Sequence, residues 1–187
     1  GEVPLSSYPD DKGYDDYGDA AIVVLTRNSG ESNEAPSGEF NDGEVYYRLN
    51  QDERDLIEEA KGNFDTVVVI ANSPSAMELD ELNDDEQIDA ILQCGGLGMS
   101  GAKSLGSILA GTVNPSGHLT DTYAANSLSS PAMSNHGDYS YSNADEITAA
   151  SENGKAENNT KYLVQQEGIY TGYKYYETRY EDTVLQR

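Results

Sequence analysis

Apolar residues in this chain fall as short unbroken runs separated by stretches of helical spacing. Ala20-Ala21-Ile22-Val23-Val24-Leu25 is one such run, and Thr66 to Ala71 is another. A strand inside a parallel sheet is covered on both faces, so it loses the in-out alternation of a half-exposed strand. Both runs read as strands of that kind, and Ile88 to Gln93 reads as a third. Between the first two, Asn50 and Glu53 have the spacing of a capping box. Leu56, Ile57 and Ala60 then form an apolar stripe, and Gly62-Asn63 stops the helix. Ala102, Leu105, Ile108 and Leu109 give a later helix its inward face, and Gly111 ends it. The alternation predicts an α/β fold with a mostly parallel sheet.

The remaining segments are less regular. Asp10 to Asp19 is an acidic lead-in punctuated by Tyr and Gly, and Asn28 to Glu44 reads as a loop. Ser73-Pro74 opens a turn or short helix, and Leu119 to Tyr123 is expected to be a short strand. From Asn126 to Thr160 the chain is rich in Ser, Asn, Ala and Gly and has few large apolar residues. Such a stretch buries little and is expected to be a surface excursion. Ile169, Tyr173 and Tyr175 return the pattern to a strand.

Length and charge narrow the class. At 187 residues the chain can bury a sizeable core and is expected to form one domain over 1–187. A net charge of -23 repels nucleic acid and anionic membrane surfaces. No apolar stretch approaches the roughly 20 residues of a spanning helix. The N-terminus lacks a basic segment followed by a hydrophobic one, so no signal peptide is read there. Gly1-Glu2-Val3 reads as a cut end. The expectation is a soluble bacterial protein, cytoplasmic or secreted. Cys94 is alone, which excludes an internal disulfide and a Cys-based metal cluster, and it reads as a small buried residue.

Chemistry concentrates after the first strand. Arg27-Asn28-Ser29-Gly30-Glu31 delivers a carboxylate on a Gly-containing turn at that strand's C-terminal end. Open α/β sheets receive their ligands at this edge, and a carboxylic acid held there can exchange protons with a substrate. The plainer reading is a solvated loop Glu in an acidic protein.

These residues, and several later segments in the same order, resemble the C-terminal α/β sandwich domain of glycoside hydrolase family 3, the β-glucosidase and β-xylosidase family. In that family a strand ends in a motif like R-x-S-G-E-G-x-D, whose Glu is the catalytic acid/base in many members. Asn50 to Ile57 is similar to the helix after the catalytic loop, Thr66 to Ser73 to the next strand and turn, and Ile88 to Leu92 to a V-D-A-I-L strand. Gly101 to Gly117, with Leu109-Ala110-Gly111 and Asn114-Pro115-Ser116-Gly117, resembles a helix followed by an N-P-S-G turn. Glu167 to Tyr176 is similar to a late E-G-I-Y-V-G-Y-R-Y-Y strand. Pattern and resemblance together predict a three-layer α/β/α sandwich with a mostly parallel sheet of about six strands.

The resemblance implies that Glu31 is the acid/base. Ser32-Asn33-Glu34 stands where many members have Gly-x-Asp, which places Glu34 roughly at the Asp and makes it the lesser candidate. Arg27 and Ser29 beside the turn, and Asn72 and Ser73 at the edge of the next strand, are further candidates to line the cleft; Arg27 could equally be a structural ion pair. A retaining glycosidase needs two carboxyl groups about 5–5.5 Å apart. In the family the nucleophilic Asp lies on a separate (β/α) barrel domain, and no segment here resembles its motif. The chain would then hold half an active site and be inactive alone. Its implied partners are a β-linked oligosaccharide or glycoside and the barrel of the same parent protein, with no cofactor or metal. A stand-alone carbohydrate-binding module and a purely structural interaction domain are the alternatives.

Other constellations are weaker. Gly95 to Gly101 before a helix suggests an anion cradle, but it lacks the Lys-Ser/Thr pair of a phosphate-binding loop. His118 and His136 lack companion Cys residues at zinc spacing. The Asp-rich pieces do not match a calcium loop. Fourteen Tyr and no Trp allow sugar stacking, although half-buried strand positions account for Tyr as well.

Overall fold

The computed structural model describes residues 13–28, 39–40, 44–135, 137, 139–149 and 160–179. In chain order the regular elements begin with β1 (Ala21–Thr26), β2 (Glu39–Phe40), β3 (Glu44–Val45), α1 (Gln51–Asn63) and β4 (Val67–Asn72). They continue with α2 (Asp80–Asn83), β5 (Ala90–Gln93), α3 (Ala102–Leu109), α4 (Pro131–Ser134), β6 (Tyr139–Ser140), α5 (Ala144–Ala149), β7 (Lys161–Tyr162) and α6 (Tyr173–Thr178). The chain divides into two compact units, Gly1–Ser127 and Leu128–Arg187.

The first unit is α/β. Its sheet has the order β1-β4-β5 and both pairings are parallel, with Val23 opposite Val69 and Val69 opposite Ile91. Two βαβ-type connections moving in one direction with one hand must return over the same sheet face. The core agrees. Ala21, Val23, Leu25, Val67, Val69 and Ala71 point one way and pack with Leu49, Ile57 and Ala60 from the first connection. Met77, Leu79 and Leu82 from the second connection join the same cluster. Burying a side chain such as Leu25 or Val69 contributes about 1.5–3 kcal/mol.

The capping box forms as its spacing predicts. Asn50 Oδ1 accepts from the Glu53 amide at 2.8 Å, and Glu53 Oε2 accepts from the Asn50 amide at 3.0 Å. The opposite sheet face is covered unevenly. Ile70 is 2% exposed, whereas Ile22 and Val24 on β1 are 48% and 52% exposed. β1 therefore shows a buried-exposed alternation that its continuous apolar sequence hides.

Four local expectations are corrected. Leu119 to Tyr123 is not a strand: the segment is irregular and Leu119 is 58% exposed. Ile169, Tyr173 and Tyr175 do not form one either. Gly168 and Gly172 adopt φ of 57° and 56°, which breaks extension on both sides of Ile169-Tyr170, and α6 follows. Strand-like composition becomes a strand only beside a partner that its side chains can pack against, and no pairing for either segment occurs among the described residues. The expected loop between Asn28 and Glu44 contains the antiparallel pair β2–β3. Cys94 is half-buried, and burial pushes its thiol pKa up.

In the second unit, the Ser/Asn-rich stretch carries short elements. Ser130 caps α4 by accepting from the Met133 amide at 3.2 Å, with Pro131 at the first helical position. β6 and β7 pair antiparallel, and the ring of Tyr162 lies between those of Tyr139 and Tyr141 at 5.5 and 5.2 Å.

Candidate functional site

The carboxyl ends of β1, β4 and β5 meet at one edge of the sheet, and the side chains there are tied together. Arg27 is the first residue past β1, and its amide still donates to the Asn72 carbonyl at 3.3 Å. Arg27 is buried, at 6% exposure. Nε donates to the Tyr46 carbonyl at 2.6 Å. One terminal nitrogen donates to the Thr26 carbonyl at 3.0 Å and to Glu53 Oε1 at 2.5 Å. The other donates to the Arg48 carbonyl at 2.6 Å and to Glu53 Oε2 at 2.7 Å. These bonds use the five N–H groups of the fork.

A buried charge of this kind is tolerated only when it is paired and its remaining protons have acceptors. Glu53 meets the first condition with a bidentate contact; three main-chain carbonyls meet the second. The pair presents no net charge to the sheet edge. Glu53 is also the N3 residue of the capping box, so the same carboxylate fixes the start of α1.

Tyr46 reinforces the arrangement. Its hydroxyl accepts from the Asn28 amide at 2.8 Å and donates to the Asn28 carbonyl. The Arg27 guanidinium carbon lies 5.7 Å from its ring centre, within cation–π range. Arg48 pairs with Glu78, which is 2% exposed. Glu78 also accepts from the Ser127 amide and hydroxyl, both at 2.7 Å, and its own amide donates to the Tyr47 carbonyl at 2.8 Å. Residues 46–48 are thus bound to the end of β1 and to the segment after β4.

The neighbouring strand ends are closed by short-range bonds. The Ser73 side chain is fully buried; its hydroxyl donates to the Ser75 carbonyl at 2.6 Å and accepts from the Ser75 amide at 3.1 Å. The Ser73 carbonyl accepts from Gln93 Nε2 at 2.9 Å. A Cβ on Gly95 would stand 3.0 Å from the Ser73 carbonyl oxygen, so a glycine lets the chain after β5 pass close to the turn after β4.

Of the residues singled out from the sequence, Arg27, Asn72 and Ser73 lie at this edge. Arg27 is engaged as an ion pair with Glu53, and Ser73 closes a turn on its own backbone. Asn72 is half-buried at the last position of β4. Ser29, Glu31 and Glu34 lie outside the described residues. The sequence reading missed Tyr46, Arg48 and Glu78 entirely. It took Glu53 for a cap alone, because its contact with Arg27 joins residues 26 apart.

Comparison with known proteins places this edge in context. Residues 13–173 match the model of the glycosyl hydrolase family 3 C-terminal domain. The chain is similar to β-glucosidase A of Butyrivibrio fibrisolvens, with 29% identity over 182 residues, covering 87% of this chain and 19% of that protein. It is 40% identical over 75 residues to the probable β-glucosidase D of Emericella nidulans, which covers 40% of this chain and 9% of the relative. A β-glucosidase of Ruminococcus albus is 26% identical over 168 residues, 89% of this chain and 15% of its own length. Among solved structures, a β-glucosidase from Paenibacillus barengoltzii superposes with a TM-score of 0.68 and 27% identity, over 95% of this chain and 17% of that one. The chain thus spans less than a fifth of the length of each of these proteins. With most of its residues matched by the family model, the chain belongs to glycosyl hydrolase family 3, as a domain of its C-terminal type.

Proposed function

We propose that this chain is the part of a retaining β-glycosidase that supplies the general acid/base, Glu31, and one wall of the substrate cleft to a (β/α) barrel domain of the same parent protein. The observation that carries the reading is the anchoring of Arg27 at the carboxyl edge of the sheet. Glu31 follows four residues later, so a carboxylate is tethered to the edge where open α/β sheets receive ligands. Asn72 is the remaining polar candidate to line the cleft from β4, while Arg27 and Ser73 shape the edge.

In this reading the Glu31 carboxylic acid protonates the glycosidic oxygen while a carboxylate of the barrel attacks the anomeric carbon. The resulting Glu31 carboxylate then takes a proton from the water that releases the sugar. The cycle needs a raised pKa, which the neighbouring nucleophile and the exclusion of water would supply in the assembled cleft. The isolated chain has one of the two carboxylates and is expected to turn over no aryl β-glucoside.

The test is Glu31→Ala in the full-length protein. Removing acid assistance is expected to cost about 10²–10⁴-fold with poor alkyl leaving groups and much less with activated aryl ones. Azide should restore the step that uses the base. Equal losses on both substrate classes, with the leaving-group dependence appearing in Glu34→Ala instead, would assign the acid to Glu34.

A further inference from the structure

We infer that Tyr46 is a positioning residue for the acid/base, acting through the backbone of Asn28; the inference rests on the reading of Glu31 given above. The chain leaves the sheet at Thr26, and by Tyr46 it is bonded back to the same place. The Tyr46 hydroxyl holds both the N–H and the C=O of Asn28. One residue earlier, Arg27 Nε takes the Tyr46 carbonyl. Two consecutive residues of the outgoing stem are therefore fastened to one residue of the returning stem, and Glu31 lies three residues past the second fastening.

Packing alone does not call for a tyrosine here. A phenylalanine would fill the same ring volume and keep the ring beside the Arg27 guanidinium. The hydroxyl bonds the main chain of Asn28, an exposed residue beyond the last strand position. Pinning both ends of a loop removes conformations it would otherwise sample. For a proton donor, small displacements are felt because catalysis depends steeply on the geometry of the reacting atoms. The hydroxyl thus bears on orientation of the acid, while the ring bears on stability.

The test is Tyr46→Phe in the full-length protein, assayed beside the wild type and Glu31→Ala on alkyl and activated aryl β-glycosides. The expected result is a fall in kcat of about tenfold on alkyl glycosides and under about threefold on aryl ones, as a displaced donor would produce. KM and the thermal midpoint should stay near wild type. A uniform loss on both substrates, or no loss, overturns the inference while leaving the role of Glu31 intact. If Glu31→Ala itself shows no leaving-group dependence, the proposed function fails, and the inference with it. Hydrogen exchange gives a second reading that does not depend on activity or on the variant folding. The Asn28 amide of the wild-type protein should be protected although the residue is exposed, and exchange at the rate of an open loop overturns the inference.

Discussion

The two units of the chain solve the same problem with different means. In the first, every buried apolar residue lies between Ala21 and Leu82 among the described residues, and three parallel strands share one continuous core with both connections. In the second, Thr160 is the sole buried residue among those described, and the order rests on a two-residue strand pair, short helices and the Tyr139–Tyr162–Tyr141 rings. Both have aromatic and β-branched residues in quantity. The difference is what those residues meet: parallel pairing over four to six residues gives the inward-facing strand residues fixed neighbours on a covered face, while the two-residue pair β6–β7 leaves its rings partly in water. The strand edge anchored by Arg27 and Glu53 belongs with the first arrangement.

The largest effect expected is that of Glu53→Ala. It leaves Arg27 buried without its counter-ion and removes half of the capping box, so a loss of about 3–5 kcal/mol is expected in urea unfolding. A loss near that of an ordinary cap, about 1 kcal/mol, would mean the pair is not what holds the edge. Next comes a direct contrast between units. Leu25→Ala, at 1% exposure, should cost about 2–5 kcal/mol, whereas Tyr162→Ala, at a residue 43% exposed, should cost less in total, its ring pairs contributing about 0.5–1.5 kcal/mol. Similar losses from the two changes would erase the distinction drawn above.

The smallest effect is a pH dependence confined to the first unit. Lys61 Nζ lies 2.7 Å from Asp85 Oδ2 and 2.6 Å from Glu58 Oε1. The hydrogen bond from Lys61, then that from the Gln87 amide, holds the Asp85 carboxyl below its ordinary range. Hydrogen bonds to Asp85 and Glu58 raise the Lys61 pKa. The depressed Asp85 contributes stability above its unfolded value of about 3.9, lost as pH falls through the lower folded value. The raised Lys61 contributes below about 10.4, lost as pH rises through the higher folded value. Lys61→Met should therefore lower the thermal midpoint at neutral pH, and the gap to wild type should close on acidification past the Asp85 titration. A gap that persists unchanged at pH 2 would remove the ion pair as its cause.

Much of the first unit was legible because its signals are local. The capping box needs two residues three apart, and the strand cores at Ile22 to Leu25 and Val67 to Ala71 need only unbroken apolar runs. The first of those runs also set the strand end beside Arg27, where β1 closes at Thr26. The illegible parts depend on distant partners. Leu119 to Tyr123 and Ile169 to Tyr175 have strand-like residues, but pairing partners decide whether a strand forms, and two glycines with positive φ frame the second. The Arg27–Glu53 contact joins residues 26 apart, and no spacing rule reaches that far. The uneven cover of β1 was hidden for a related reason: the run Ala21 to Leu25 reads the same whether one face is covered or two.

Glu53 carries a consequence for how this sequence can drift. Its carboxylate answers to Arg27 and to the Asn50 amide at once, so natural variation at position 53 is filtered twice. Glutamine would keep an acceptor for the cap but lose the charge that Arg27 faces. Aspartate would keep the charge but stand one methylene short of spanning both contacts. Neither single step preserves the whole arrangement, and lineages that leave glutamate should do so together with a change at position 27. The two positions are expected to vary as a unit, and a protein inheriting one member from each of two lineages should be less fit than either parent.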